Sequence, residues 1–211
     1  MTTPKKTYHD YVIKDGKFIG KFEDMYRHFE DPWMQSQQPN RYSRQVAIMN
    51  MKRYGIRSVV EYGCGLGYYA DWIHRETGIV CQSIDISKTA IKKAKAKFPH
   101  LDFHVGNIRD MGSLKNKAHI DCILLADITW MILQDLDYVN TELLKHFRGK
   151  YLINNFVTYK GTQKYGLDFF TTTQEYIDYM PFKLIGYAEG TTIDDHNIDS
   201  TTIFKIEPKQ V

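Results

Sequence analysis

The stretch Glu61-Tyr62-Gly63-Cys64-Gly65-Leu66-Gly67 decides how the rest of the chain is read. It closes a short apolar, β-branched run, Ile56 to Tyr62, and opens an amphipathic stretch carrying Tyr69, Ala70, Trp72 and Ile73. Glycines between a strand and a helix let the chain turn steeply. They also let backbone N–H groups approach a ligand with no Cβ in the way. The next apolar run, Ile79 to Asp85, ends in a carboxylate 18 residues after Gly67. In nucleotide-binding α/β folds an acidic side chain at that place accepts hydrogen bonds from ribose hydroxyls. The dinucleotide fingerprint G-x-G-x-x-G needs a glycine at position 68, where this chain has Tyr68. A tight strand–helix turn that holds no ligand is the plain alternative.

Outward from this motif, short apolar runs alternate with amphipathic stretches, the mark of β-α-β units and a parallel sheet. The helix after the glycine turn closes at Gly78. Ser87 caps SKTAIKKAKAKF, which stops at Pro99. Leu101 to Val105 reads as a third strand. Ile120 to Ala126 reads as a fourth, nearly all apolar, as a central strand covered on both faces should be. A helix from about Asp135 to Phe147 ends at Gly149, and Tyr151 to Val157 makes a fifth strand. A short helix around Thr173 to Tyr179 precedes two more strands, Phe182 to Ala188 and Thr202 to Ile206. The polar loop TTIDDHNIDS between them suits a hairpin, so the last strand is expected to run antiparallel. Residues 1–55 stand outside the alternation. They hold an aromatic, mixed-charge segment (Tyr8, Tyr11, Phe18, Phe22, Tyr26, Phe29, Trp33) and a helix from about Arg41 to Tyr54. The expected fold is α/β: a doubly wound, seven-stranded, mostly parallel sheet with an antiparallel C-terminal hairpin strand, over residues 56–211. An N-terminal helical cap or lid spans residues 1–55.

The chain has 211 residues, 28 Lys and Arg against 25 Asp and Glu, a net charge of +3, and 43% hydrophobic residues. That balance excludes a disordered or collagen-like chain and suits one core. The pI of about 8.6 comes with no dense basic block, so no nucleic-acid partner is expected. The N-terminal MTTPKKTYHDYVIKDG lacks the apolar stretch of a secretory signal. The most apolar window, Ile120 to Leu133, is broken by Asp121 and Asp127 and is too short to span a bilayer. Cys64, Cys81 and Cys122 form no C-x-x-C pair and read as reduced thiols of a cytoplasmic protein. No metal site is expected.

The pattern acidic-x-G-x-G-x-G resembles the first motif of the class I S-adenosylmethionine (SAM)-dependent methyltransferases, a Rossmann-like family. Five parallel-type strands followed by a terminal hairpin match the same family. The resemblance implies that Gly63, Gly65 and Gly67 line the methionine moiety, with Glu61 opening the motif. Asp85 would hold the ribose hydroxyls and Ile86 would lie against the adenine. The family commonly has G-D after the third strand, facing the adenine amino group. Here Gly106-Asn107 replaces it, with Ile108 following; an amide oxygen can still accept. Asp110 is the fallback, and a turn residue is the other reading of Asn107.

Asp31-Pro32-Trp33, Ser36, Tyr42, Arg44, the glycine motif, Asp85-Ile86-Ser87 and Ala90 together resemble the nodulation protein S-like branch over roughly residues 30–140. Those are N-methyltransferases acting on amino-sugar oligosaccharides. In such enzymes an arginine on the helix before the first strand can meet the methionine carboxylate, which points to Arg44; a solvated helix-face charge is the alternative.

Asp127 directly follows the fourth strand and so faces the crevice at the strands' carboxyl ends. It is expected to contact the SAM amino group or an acceptor amine, unless it only caps the next helix. Trp130, within Ile128-Thr129-Trp130-Met131, is expected to line the acceptor pocket, with Tyr8, Tyr11 and Trp33 reaching it from the lid. A hydroxyl acceptor would want a general base. His196, on the loop after the sixth strand and beside Asp194 and Asp195, is the candidate, against an ordinary solvated histidine. His104 and His119 read as structural or exposed. The reading is methyl transfer from SAM, leaving S-adenosylhomocysteine (SAH), to a small-molecule acceptor, the nitrogen of an amine or amino sugar. The alternatives are a hydroxyl acceptor or SAM binding without catalysis. Leu125-Ala126-Asp127-Ile128 lacks the Asn/Asp-Pro-Pro-aromatic signature of base N-methylation.

Overall fold

The computed structural model describes residues 7–14, 16–191 and 197–209. Two short strands, β1 (Ile13–Lys14) and β2 (Lys17–Phe18), pair antiparallel, and helices α1 (Phe22–His28) and α2 (Tyr42–Arg53) follow. Then come β3 (Val59–Tyr62), α3 (Tyr68–Thr77), β4 (Gln82–Asp85), α4 (Lys88–Lys97), β5 (Asp102–Val105) and β6 (Cys122–Ala126). The chain closes with α5 (Leu136–Phe147), β7 (Tyr151–Tyr159), α6 (Thr173–Tyr179), β8 (Phe182–Gly190) and β9 (Asn197–Pro208). The large sheet has the order β5-β4-β3-β6-β7-β9-β8. Strands β3 to β7 pair in parallel, and β9 inserts antiparallel to both β7 and β8. This is the expected seven-stranded, mostly parallel architecture with its C-terminal hairpin.

Strand β6 shows why the pattern was readable. Ile123 and Leu125 enter a core with α5 residues Leu136, Val139, Leu143 and Phe147, while Cys122, Leu124 and Ala126 enter a second core with α2 and α3 residues Ala47, Met51, Tyr69 and Ile73. A strand packed on both faces has no polar side to show. Helix ends follow local chemistry as well. The Ser87 hydroxyl accepts from the Ala90 N–H at 3.1 Å to cap α4, and Gly78 ends α3 at φ +76°.

Several strand boundaries differ from the reading, β4 starting at Gln82 rather than Ile79 and β6 at Cys122 rather than Ile120, and two of the differences have a clear physical cause. Strand β3 begins at Val59 rather than Ile56, because the Arg57 and Ser58 N–H groups turn to the Asp121 carboxylate (2.9 and 3.1 Å). Strand β9 starts at Asn197 rather than Thr202, and its added residues extend the ladder to β7. Two of its buried polar side chains are satisfied across the fold: Asn155 donates to the Thr201 hydroxyl at 2.8 Å, and Thr173 and Ser200 share a 2.7 Å bond.

Helix α2, read as part of the cap, is a layer of the sheet's second core. The residues before it form a smaller cluster, in which Val12, Met25 and Tyr26 pack on Leu66 and Ala90. The Glu23 carboxylate fastens that cluster to the N-terminus of α4. It accepts from the Ser87 hydroxyl (2.7 Å), the Thr89 hydroxyl (2.7 Å) and the Thr89 N–H (3.1 Å). Led by the Thr89 hydroxyl bond, these contacts hold the Glu23 carboxyl down at about 2. A depressed carboxylate contributes stability above its ordinary value near 4.5 and loses it as pH falls toward 2. With its side chain 35% exposed, that contribution is about 1 kcal/mol after solvent screening. Acid titration followed by Trp33 emission should therefore show the cap loosening in that window, and Glu23→Gln should flatten the transition.

Candidate active site

At the end of β3 the chain turns across the end of β4, where the Gly63 and Cys64 N–H groups both donate to the Ile84 carbonyl (2.7 and 3.1 Å). Gly63 sits at φ +76° and Gly65 at φ +56°, the left-handed region that glycine enters freely. A Cβ on Gly63 would stand 2.1 Å from Ile128 Cγ2, and one on Gly65 would stand 2.7 Å from the Gln35 amide and the Tyr26 hydroxyl. The turn is therefore closely covered, and Gly67 delivers it into α3. Asp85 staples it from the neighbouring strand: Oδ2 accepts the Gly65 N–H (2.9 Å) and Oδ1 the Ser87 N–H (2.8 Å). Burial pushes the Asp85 carboxyl up, against the pull of those two donors. Each oxygen keeps a second lone pair.

These residues border a cavity of about 480 Å³ at the carboxyl ends of the strands. Strand order reverses here, β4 lying on one side of β3 and β6 on the other, the place where open α/β sheets bind ligands. Toward β5 the wall is Ile84, Asp85, Ile86, Gly106, Asn107 and Ile108; toward β7 it is Asp127, Trp130, Val157 and Tyr159. The N-terminal segment roofs it with Phe18, Phe22, Tyr26 and Trp33.

Asn107 also serves as a cap, its side-chain oxygen accepting the Arg109 N–H at 3.0 Å. The turn-residue reading thus holds, and Asn107 also lines the cavity. Asp110, the fallback, does not line the cavity, whereas Asp135 does and is paired with Arg109.

Arg44 is no solvated charge: it is 6% exposed, lies 4.7 Å over the Tyr69 ring and lines the cavity. Its Nη1 donates to the Gln38 carbonyl (3.0 Å) and its Nη2 to Asp127 Oδ2 (2.9 Å). The other Asp127 oxygen accepts from Arg41 Nη2 at 2.6 Å, and the same Nη2 reaches Asp199 at 2.9 Å. Asp127 itself stands at φ +63°, its N–H donating to the Asn155 carbonyl (2.8 Å). Its side chain goes to the arginines and caps no helix. Burial would raise its carboxyl, but the charges and N–H bonds of Arg41 and Arg44 hold it below the usual carboxylate range. A carboxylate held this way stays ionised and is a weak proton acceptor.

The geometry separates some expected site residues from the cavity. Glu61 does not line it; the side chain is 1% exposed and accepts from the Ser83 hydroxyl at 3.0 Å. Tyr8 and Tyr11 do not line it either. Tyr8 meets Trp33 edge-on at 5.1 Å and Tyr11 meets Phe29 edge-on at 5.9 Å, so both pack behind the wall. Trp33 and Trp130 do form the wall, and Trp130 is fixed by donating to the Val157 carbonyl at 2.7 Å. His196, with Asp194 and Asp195, lies outside the described residues. His104 pairs with Asp102 at 2.7 Å, and His100, four residues earlier, lies 3.8 Å from Asp71, so this H-x-x-x-H spacing brings no ligands together. Among the described residues no group of His, Cys, Asp and Glu could hold a metal.

Sequence reasoning missed Gln35, whose Oε1 accepts the Leu66 N–H at 2.7 Å and so binds the glycine turn from the cap. It sits in an irregular segment that gives no periodic signal. Arg41 was also missed, although its i,i+3 spacing from Arg44 puts both on one helix face.

The buried Glu61 has a stability consequence. Desolvation pushes its carboxyl up to about 7, against the Ser83 bond and the Arg44 charge. A raised acid favours folding below its ordinary value near 4.5, and that support is lost as pH rises through about 7. Glu61→Gln should therefore unfold about 2–3 kcal/mol harder than the parent at pH 8 and equally at pH 4.5, by urea denaturation.

Residues 59–149 match the family model described as "Methyltransferase domain". The fold is similar to that of the N-methyltransferase NodS from Bradyrhizobium japonicum in complex with SAH, at 14% identity and a TM-score of 0.64, covering 87% of this chain and 97% of that one. It is also similar to a structure described under conversion of a disulfide bond into a thioacetal group during echinomycin biosynthesis (17% identity, TM-score 0.61, 87% and 91% covered). A third likeness is to geranyl diphosphate C-methyltransferase from Streptomyces coelicolor (12% identity, TM-score 0.57, 77% and 78% covered). At these identities the likeness is one of fold, and it does not separate the NodS-like branch from others. No curated protein matches the chain. Among the described residues no helix is long and apolar enough to cross a membrane.

Proposed function

We propose that this chain, whose residues 59–149 match the methyltransferase-domain model, transfers the methyl group of SAM to the nitrogen of a small-molecule amine. The observation that carries the proposal is the closely covered glycine turn, stapled by Asp85 and opening on the 480 Å³ cavity. The residues present fit such a donor. Asp85 has lone pairs left for ribose hydroxyls, Ile86 and Ile108 offer apolar faces for adenine, and Arg44 offers a guanidinium for the methionine carboxylate. When bound, the sulfonium supplies an electrophilic methyl group, so the protein's task is to orient and desolvate.

The choice of nitrogen rests on the lining. Among the described residues it contains no His, Lys or Cys, and its three carboxylates are engaged: Asp85 by backbone N–H groups, Asp127 by arginines, Asp135 by Arg109. An amine needs only its neutral form to attack, whereas a hydroxyl needs a base. We assign Asp127 the role of holding the arginines and the methionine end, Trp33 and Trp130 that of acceptor walls, and His196 that of the base only if the acceptor is a hydroxyl compound. Three free, buried thiols support a reducing, cytoplasmic setting.

Incubation with methyl-labelled SAM and panels of amines, amino sugars and hydroxyl compounds tests the reading. Label should enter amines, with a rate that rises as pH frees the lone pair. Transfer confined to hydroxyl compounds would contradict the nitrogen assignment, and SAM binding with no transfer to any panel member would contradict catalysis.

A further inference from the structure

We propose that the acceptor carries a carboxylate, which Arg41 holds at the β7 end of the cavity; the inference rests on the methyl-transfer reading above. Two arginines line this end, three residues apart at the start of α2. The side chain of Arg44 is 7% exposed and that of Arg41 is 23% exposed, so Arg44 is the inner and Arg41 the reachable cation. Among the described residues Arg41 donates only through Nη2, to Asp127 and Asp199, and its buried Nε–H has no partner. A guanidinium carries five N–H donors, and leaving one unmatched in a buried place is unfavourable.

The acceptors nearby are already used. Both Asp127 oxygens take arginine N–H groups, and the Asp199 oxygens take Arg41 Nη2 and the Ser43 N–H (3.0 Å). Tyr159, on the same stretch of wall, adds a phenol that burial and the Asp127 charge keep protonated. The N–H groups left over on Arg41 are thus matched by a further acceptor brought by the ligand. A planar carboxylate fits a guanidinium edge in two parallel bonds. The surrounding wall of Phe18, Ile19, Trp33, Trp130 and Val157 suits an aromatic or hydrocarbon body better than a sugar.

Calorimetry on the SAH-loaded protein tests this with two matched pairs: 4-aminobenzoate against aniline, and phenylalanine against phenethylamine. The carboxylate member of each pair should bind at least tenfold tighter. Arg41→Met should erase the difference in a variant that still binds SAH, and Arg41→Lys, which keeps the charge and guards against misfolding, should retain part of it. Equal binding within pairs, binding by no member of either pair, or a preference that survives Arg41→Met would overturn the proposal. So would loss of SAH affinity in Arg41→Met, which would give Arg41 to the cofactor. Failure of the parent protein to bind SAH at all would instead bring down the methyl-transfer reading, and this inference with it.

Discussion

Asp85→Ala is expected to weaken SAM and SAH binding roughly 30- to 150-fold, the loss of hydrogen bonds to a charged acceptor of about 2–3 kcal/mol. Two effects combine. The ribose hydroxyls lose their acceptor, and the Gly65 and Ser87 N–H groups lose theirs, so the glycine turn is no longer stapled to β4. Asp85→Asn separates them: one amide oxygen keeps the shape and part of the staple, and its affinity should fall between the parent and the alanine variant. Calorimetry with SAH on both variants gives the ratio directly. An alanine variant that melts earlier but binds SAH normally would reduce Asp85 to a loop fastener.

The second large effect is expected at Asp127. Asp127→Asn should destabilise the protein by about 2–3 kcal/mol, toward the lower end for a broken ion pair because the side chain is 27% exposed. The substitution leaves Arg41 and Arg44 without their common counter-charge. Asn tolerates the left-handed backbone at this position, so the loss reports the carboxylate and not the φ of +63°. Because the arginines hold the Asp127 carboxyl low, its contribution should persist through mildly acidic pH and disappear only as pH falls below the ordinary carboxylate value. Turnover should fall mainly through a higher KM for SAM as Arg44 loses its anchor. A variant with normal stability and normal KM but a kcat lower by a factor of 100 or more would indicate proton transfer by Asp127 instead.

The parts of the fold and site that were legible in the sequence are those set by neighbouring residues. The glycine turn, the carboxylate ending the next strand, the Ser87 cap and the two-faced apolar run of β6 all carry their signal within a few positions. What was not legible depends on partners distant in the chain. Glu61 lies one residue from a cavity-lining position, yet strand alternation turns it to Ser83. The pairing of Asp127 with Arg41 and Arg44 was hidden because the two arginines precede it by more than 80 residues. Tyr8 and Tyr11 are aromatic like Trp33, and only the packing of the cap decides which of them reaches the cavity. The start of β9 was hidden because its buried Ser200 and Thr201 are held by hydrogen bonds to Thr173 and Asn155 rather than by apolar alternation.

The claim on which these expectations converge is that the bend at residues 63–67 and the carboxylate of Asp85 grip a sulfonium nucleoside. Titration of the parent protein with SAH and, separately, with a nicotinamide dinucleotide is the most direct measurement. Saturable one-to-one heat with SAH and none with the dinucleotide is the predicted result. Clear uptake of the dinucleotide with no heat from SAH would contradict it.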